Sequence, residues 1–147
     1  MFERRVIAGW GDMDFNSHLR NTPYLDKSAD VRMTYFSENG FSMQEFMGPV
    51  IMRDELDYHR EVSLLEELRA TLELAALAAD GSRFAIQNSF YRLDGQRVAR
   101  VKSTGGWLDL TVRKLVGPPE GLLAALQRAP RSEELTEVPS SLKSPKG

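Results

Sequence analysis

Two Asp-Gly pairs, Asp80-Gly81 and Asp94-Gly95, sit between stretches that alternate apolar and polar residues, and they constrain the fold more than any other feature. Such a pair between alternating runs signals a hairpin turn between antiparallel strands. Before the first pair, Leu68, Ala70, Leu72, Leu74 and Ala76 alternate with Arg69, Thr71 and Glu73. Between the pairs, Phe84, Ile86, Asn88 and Phe90 alternate with Ala85, Gln87, Ser89 and Tyr91. Asn88 is then either a satisfied sheet asparagine or a polar group in an apolar pocket. After the second pair, Ala99, Val101 and Ser103 stand at odd positions, but Leu108, Leu110 and Val112 at even ones. Gly105-Gly106 lies at the change of phase, which predicts a β-bulge inside one long strand over 97–112. Two more strands are expected, at Phe2–Ala8 and Val50–Val62.

One segment has a different period. Leu25, Ala29, Met33 and Phe36 recur at helical spacing, with Tyr24, Ser28, Val31 and Tyr35 beside them. Thr22-Pro23 predicts the helix start, with Pro23 first in the helix and Thr22 or Asn21 as cap; Asn39-Gly40 predicts its end. Phe41–Gly48 reads as a short helix or an ordered loop. Glu120–Arg128 reads as a short second helix. Ala129–Gly147, rich in Pro, Ser, Glu and Lys, is expected to be a flexible polar tail behind a domain spanning 1–128. The class is α+β: one long helix wrapped by a curved, antiparallel, five-stranded sheet. Such a layer leaves a sheet face and an edge strand uncovered, which predicts a homo-oligomer, a dimer or a tetramer of dimers.

The 147 residues carry a net charge of −2 with scattered basic residues, so neither nucleic acid nor an anionic membrane is an expected partner. The absence of cysteine removes disulfides, thiolate nucleophiles and Cys-ligated metals, and fits the cytoplasm. The longest apolar run, Leu74–Ala79, is far short of the ~20 residues a membrane helix needs.

Most chemistry-bearing groups gather between Trp10 and Tyr24: Asp12, Asp14, Asn16, His18, Arg20 and Asn21. The start of the helix adds backbone N–H donors that can stabilise an anion. By itself Asp14 can serve as a turn or cap residue. Asp12 reads as structural, paired with a backbone N–H or an arginine. His18 is either a pocket member or a packed loop histidine, and His59 reads as a surface or interface residue, with lining the cleft as its alternative. The acids and histidine lack the spacing of known zinc motifs, so no metal is expected, and no cofactor. There is no G-x-S-x-G elbow.

The stretch Trp10-Gly11-Asp12-Met13-Asp14-Phe15-Asn16-Ser17-His18-Leu19-Arg20-Asn21-Thr22-Pro23-Tyr24 resembles the motif (W/F)-x-D-x-D-x-x-G-H-V-N-N-x-x-Y. This motif precedes the long helix in hotdog-fold acyl-CoA thioesterases of the 4-hydroxybenzoyl-CoA thioesterase-like family. Trp10, Asp12, Asp14, His18, Asn21 and Tyr24 match it; Leu19 is conservative, Ser17 replaces glycine and Arg20 replaces asparagine. The resemblance implies a hotdog fold, hydrolysis of an acyl-CoA, and Asp14 as general base or nucleophile. It also implies Asn21 and His18 as catalytic partners and an acyl group lying along the helix past Tyr24, Leu25, Ala29, Met33 and Phe36. Arg20 would either hold Asp14 ionised or meet a CoA phosphate. A non-catalytic acyl-thioester binder and a hydroxyacyl-thioester dehydratase of the same fold are the alternatives.

Overall fold

The computed structural model describes residues 1–16, 18–39, 49–109, 111–140 and 142. Phe41–Gly48, left open above between helix and loop, lies outside them. The elements run β1 (Phe2–Ile7), α1 (Asn21–Glu38), β2 (Pro49–Tyr58), β3 (Glu67–Leu77), β4 (Arg83–Arg92), β5 (Arg97–Asp109), β6 (Lys114–Val116), α2 (Glu120–Arg128) and β7 (Arg131–Glu137). The spine of the sheet is β1-β3-β4-β5-β2, antiparallel at every step. Both Asp-Gly pairs form the expected turns, with Gly81 at φ 74° and Gly95 at φ 97°, a region open to glycine without steric cost.

The described sheet has seven strands, not five. β6 folds back antiparallel on the end of β5. β7 pairs with β3 in parallel, Leu74 beside Arg131 and Leu77 beside Glu137. This corrects the expectation of a flexible tail over Arg131–Glu137. β1 covers β3 only over Glu67–Leu72, which would leave the backbone groups of its second half unpaired at a sheet edge. The polar segment Arg131–Glu137 fills that gap through its backbone, which composition does not reveal.

The phase change in β5 also has another cause. Gly105 and Gly106 pair in unbroken register with Phe84 and Arg83 on one side, and with Ile51 and Val50 on the other. The odd positions Ala99, Val101, Ser103 and Trp107 are all buried, so the inward face does not switch. The register shifts lie between Phe90 and Tyr91 against β5 and between Ile51 and Arg53, where the extra residue Met52 belongs to β2 and stands opposite Gly105 and Thr104. A Cβ on Gly105 would stand 2.5 Å from the Val50 carbonyl oxygen. Glycine is there for close approach, not for a bulge.

α1 is 18 residues long and packs on β1, β3 and β5. Arg20 is its N-cap and makes no side-chain cap bond; Pro23 is third in the helix. Neither Asn21 nor Thr22 caps it. The stripe turned to the sheet is Tyr24, Ser28, Val31 and Tyr35, with Phe36. Leu25, Ala29 and Met33 lie on its half-buried flank. Aromatic rings decide the choice: Tyr24 packs edge-on to Phe90 at 5.2 Å, Tyr35 to Phe2 at 5.1 Å, and Phe36 to Trp107 at 6.5 Å. α2 closes one end of this core with Leu122, Ala125 and Leu126, and the Tyr35 hydroxyl donates to the Ala125 carbonyl at 2.6 Å. No helix among the described residues is long and apolar enough to cross a membrane.

Candidate active site

The loop between β1 and α1 is built from its own short-range bonds. A single turn at Trp10–Asp12 places the Asp12 carboxylate where it accepts from the Gly9 N–H at 2.9 Å. Lys27, in the second turn of α1, meets the same carboxylate at 3.0 Å, and the Arg20 N–H donates to the Asp12 carbonyl at 2.9 Å. Asp12 thus has the structural role its position suggested, with a lysine as its charged partner. Burial alone would raise its carboxyl. The Gly9 bond, Lys27 and the charge of Arg20 outweigh that and hold it below the ordinary 3.8.

Asp14 is exposed, and its carboxylate Oδ1 accepts from the N–H groups of His18 at 3.0 Å and Asn16 at 2.8 Å. Its own N–H donates to the His18 carbonyl at 2.7 Å. The His18 N–H is the main reason its carboxyl lies below 3.8; desolvation opposes and the Asn16 N–H adds. Arg20 is not the cause expected from sequence, because its guanidinium donates to the Gly11 carbonyl at 2.9 Å and its charge acts on Asp12. Ser17, the glycine replacement, lies outside the described residues.

The loop is laid against the connection between β2 and β3. Leu19 donates its N–H to the Val62 carbonyl at 2.8 Å, and His18 bridges to Ser63. Between them opens a cleft of about 640 Å³, lined by Asp14, His18, Leu19, Arg20, Asn21 and Tyr24 on one side and by Tyr58, His59, Arg60 and Glu61 on the other. Five of the residues singled out in the loop and helix start (Asp14, His18, Arg20, Asn21 and Tyr24) therefore border one space. Leu25, Ala29, Met33 and Phe36 do not: the first three lie on the flank of α1 and Phe36 is buried against Trp107.

On the far wall, His59 borders the cleft, the alternative to its surface or interface reading, together with Arg60 and Glu61, which the sequence did not single out. Both His59 and Arg60 donate their N–H groups to the Val98 carbonyl, at 2.8 and 3.1 Å. Val98 is the residue of β5 skipped in its register with β4, and irregularity of this kind re-aims side chains at a strand end. A misregister of this sort leaves no mark in composition or alternation.

The first turn of α1 supplies donors. Arg20 spends its N–H on Asp12, and Pro23 has none. The N–H groups of Asn21 and Thr22, in the first turn, have no carbonyl within the helix to receive them. The Tyr24 hydroxyl is pushed up to about 12 by burial, with Tyr58 and Glu66 adding, so it stays protonated. The cleft thus offers an ionised carboxylate, helix N-terminal donors, a phenol and cationic groups. Among the described residues no group of three or more His, Cys, Asp or Glu is arranged to hold a metal ion.

A sequence model of the thioesterase-like superfamily matches residues 8–126, most of the chain and all of this cleft. The chain belongs to the thioesterase-like superfamily. No curated protein sequence matches it. Its fold is that of several solved structures. One is a 1,4-dihydroxy-2-naphthoyl-CoA thioesterase from Synechocystis, 16% identical, at TM-score 0.77 over 86% of this chain and 96% of that one. A hypothetical protein from Staphylococcus aureus in complex with CoA is 18% identical, at TM-score 0.77 over 86% and 81%. YbaW, a probable thioesterase from Escherichia coli, is 22% identical, at TM-score 0.73 over 88% and 98%. The fold shared with these structures is the hotdog arrangement expected from the loop motif.

Proposed function

We propose that this chain hydrolyses acyl thioesters, with acyl-CoA as the substrate class and Asp14 as the reacting carboxylate. The observation that carries the reading is the exposed, ionised Asp14 beside Asn21, the first residue of α1, in one cleft of a thioesterase-like chain. Hydrolysis needs an activated oxygen and a site for the developing oxyanion. Asp14 activates a water or attacks the carbonyl carbon itself. The helix N–H groups, which need no side chain, receive the charge that collects on the carbonyl oxygen. Asn21, at the mouth, orients the water or the carbonyl, and His18 holds the Asp14 carboxylate through its backbone N–H.

Arg20 and Arg60 give the cleft cationic groups for the phosphates of CoA, and Tyr24 with Tyr58 gives it aromatic faces. The half-buried flank Leu25, Ala29 and Met33 offers apolar surface along which an acyl chain can run; Phe36 belongs to the core. A cytoplasmic homo-oligomer, working without a cofactor, completes the proposal.

Thiol release from short, long and aromatic acyl-CoAs, wild type beside Asp14→Asn, tests it. Turnover of some member, reduced by roughly 10²-fold or more in the variant, is the expected result for loss of a general base. Wild-type binding of acyl-CoA by calorimetry with no cleavage would make the chain a binding protein. Equal rates in both proteins would move the role away from Asp14.

A further inference from the structure

Glu61 belongs to no part of the loop motif, yet it borders the cleft and its carboxylate stands 3.2 Å from Nε2 of His18. Its position is determined from two sides. Its carbonyl accepts from the Arg92 guanidinium at 2.7 Å, and Arg92 also holds Glu66 at 2.9 Å and the Gln96 side chain at 2.9 Å. The paired His59 and Arg60 N–H groups on the Val98 carbonyl turn the chain so that His59, Arg60 and Glu61 all border the cleft.

On the facing wall, the Asp14 N–H donates to the His18 carbonyl at 2.7 Å, and the His18 N–H donates to the Asp14 carboxylate at 3.0 Å. The Asp14 carboxylate and the His18 ring therefore flank a single tight turn, one bound by N–H groups and the other by a carboxylate. The charged or titratable groups around the ring are Asp14 and Arg20 from the loop, Tyr24 from α1, Tyr58 from β2, and His59, Arg60 and Glu61 from the connection. A carboxylate beside an imidazole fixes the ring and offsets its charge when it carries two protons. The ring nitrogen not engaged by Glu61 is then the one placed to give up a proton.

We infer that Glu61 is a positioning residue that holds His18 as the acid for the leaving sulfur, an inference that rests on the hydrolytic reading above. Water oxygen bonds to the carbonyl carbon as its proton passes to Asp14 and the carbonyl electron pair moves onto oxygen. That pair returns, the C–S bond breaks with its electrons on sulfur, and sulfur takes the imidazolium proton. The products are a carboxylic acid and a thiol; Asp14 returns its proton to solvent and His18 regains one. The sulfur step is the same if Asp14 attacks directly.

The test compares two thioesters of one acyl group, the CoA thioester and the nitrothiophenyl thioester, whose thiolate departs unaided. The proteins are wild type, Glu61→Gln and His18→Gln, each checked for folding by thermal melt; at 69% side-chain exposure Glu61 tolerates the change. Both variants are expected to lose roughly 10-fold or more of kcat on the CoA thioester, at the lower edge of general-acid effects. On the activated thioester the loss is expected to stay under about threefold, and the double variant is expected to be no worse than the His18 variant, as for residues acting as a unit. Equal losses on both thioesters, or none, with wild type active, overturn the role of Glu61 and leave hydrolysis standing. A wild type inactive on every thioester overturns the hydrolytic reading, and this one with it.

Discussion

Lys27 Nζ and the Asp12 carboxylate meet at 3.0 Å with side chains only 18% and 26% exposed, so the loop that carries Asp14 is pinned to the first turns of α1. The pair lies outside the cleft and orders the site from behind. Replacing Lys27 with Met removes the cation and keeps most of the side-chain volume. The expected cost is about 1 kcal/mol of stability, the upper range for a partly exposed pair. Asp14 and the helix N–H groups would lose their relative placement, so kcat should fall while KM changes little. Unchanged kcat together with a lowered melting temperature would confine the pair to stability.

Asp12 also sets a direction for acid sensitivity. Its carboxyl lies below 3.8 in the folded chain, so the unfolded chain binds its proton first as pH drops. The stabilisation is complete above about pH 4 to 5 and is lost as pH falls through the folded value. Asp12→Asn should therefore be less stable than wild type at pH 6, and the difference should shrink toward pH 3. Urea unfolding at a series of pH values measures this; a gap that widens on acidification would contradict it.

Asp14 is held ionised chiefly by the backbone N–H of His18, with the Asn16 N–H and the charge of His18 adding and burial opposing. A carbon-13 titration of its carboxyl should have its midpoint below 3.8. The midpoint should not move in Arg20→Gln, because Arg20 is engaged with the Gly11 carbonyl. A rise in that variant would restore to Arg20 the role inferred from sequence.

The hairpins were legible because Asp-Gly turns and alternation are local signals, and the loop was legible because its acids, histidine and asparagine are close in sequence. What was not legible depends on pairing between distant strands. Met52 and Val98 mark register shifts that only their partners in β5 and β4 define, and through Val98 they bring His59, Arg60 and Glu61 to the cleft. The two candidate helix stripes, Leu25–Phe36 and Tyr24–Tyr35, have nearly equal spacing. The rings of Phe2 and Phe90 on the sheet selected Tyr35 and Tyr24, and Trp107 retained only Phe36 of the other stripe.

Gly105 gives a test of close approach. A Cβ there would meet the Val50 carbonyl oxygen at 2.5 Å and the Phe84 ring at 3.1 Å, and a backbone oxygen paired in the ladder cannot withdraw cheaply. Gly105→Ala should cost about 1–3 kcal/mol, the range for forcing atoms into a packed interior. Gly121→Ala, with open space around it in the first turn of α2, should be neutral or stabilising by up to about 1 kcal/mol through helix propensity. Denaturant unfolding of the two variants should give opposite signs, and equal effects would remove the steric argument.

β7 makes a polar C-terminal segment part of the sheet. The Leu74 N–H donates to the Pro130 carbonyl at 2.6 Å, and the Val138 N–H reaches the Leu77 carbonyl at 3.4 Å, so the partners of β3 past Leu72 all come from this segment on that side. Ending the chain after Ala129 would expose these groups and the small apolar cluster Ala75, Ala76 and Ala85, against which Val138 packs. Hydrogen exchange at the Leu74 amide should then speed up by roughly 10-fold or more, the mark of a local opening that costs less free energy. The amides of β3 paired with β1 should keep most of their protection, because that ladder is untouched. The unpaired edge should also make the truncated chain more prone to associate, since free strand edges template pairing with other chains. If Leu74 exchanges at the same rate in both proteins, β7 contributes nothing to the sheet and the C-terminal segment behaves as its composition alone suggests.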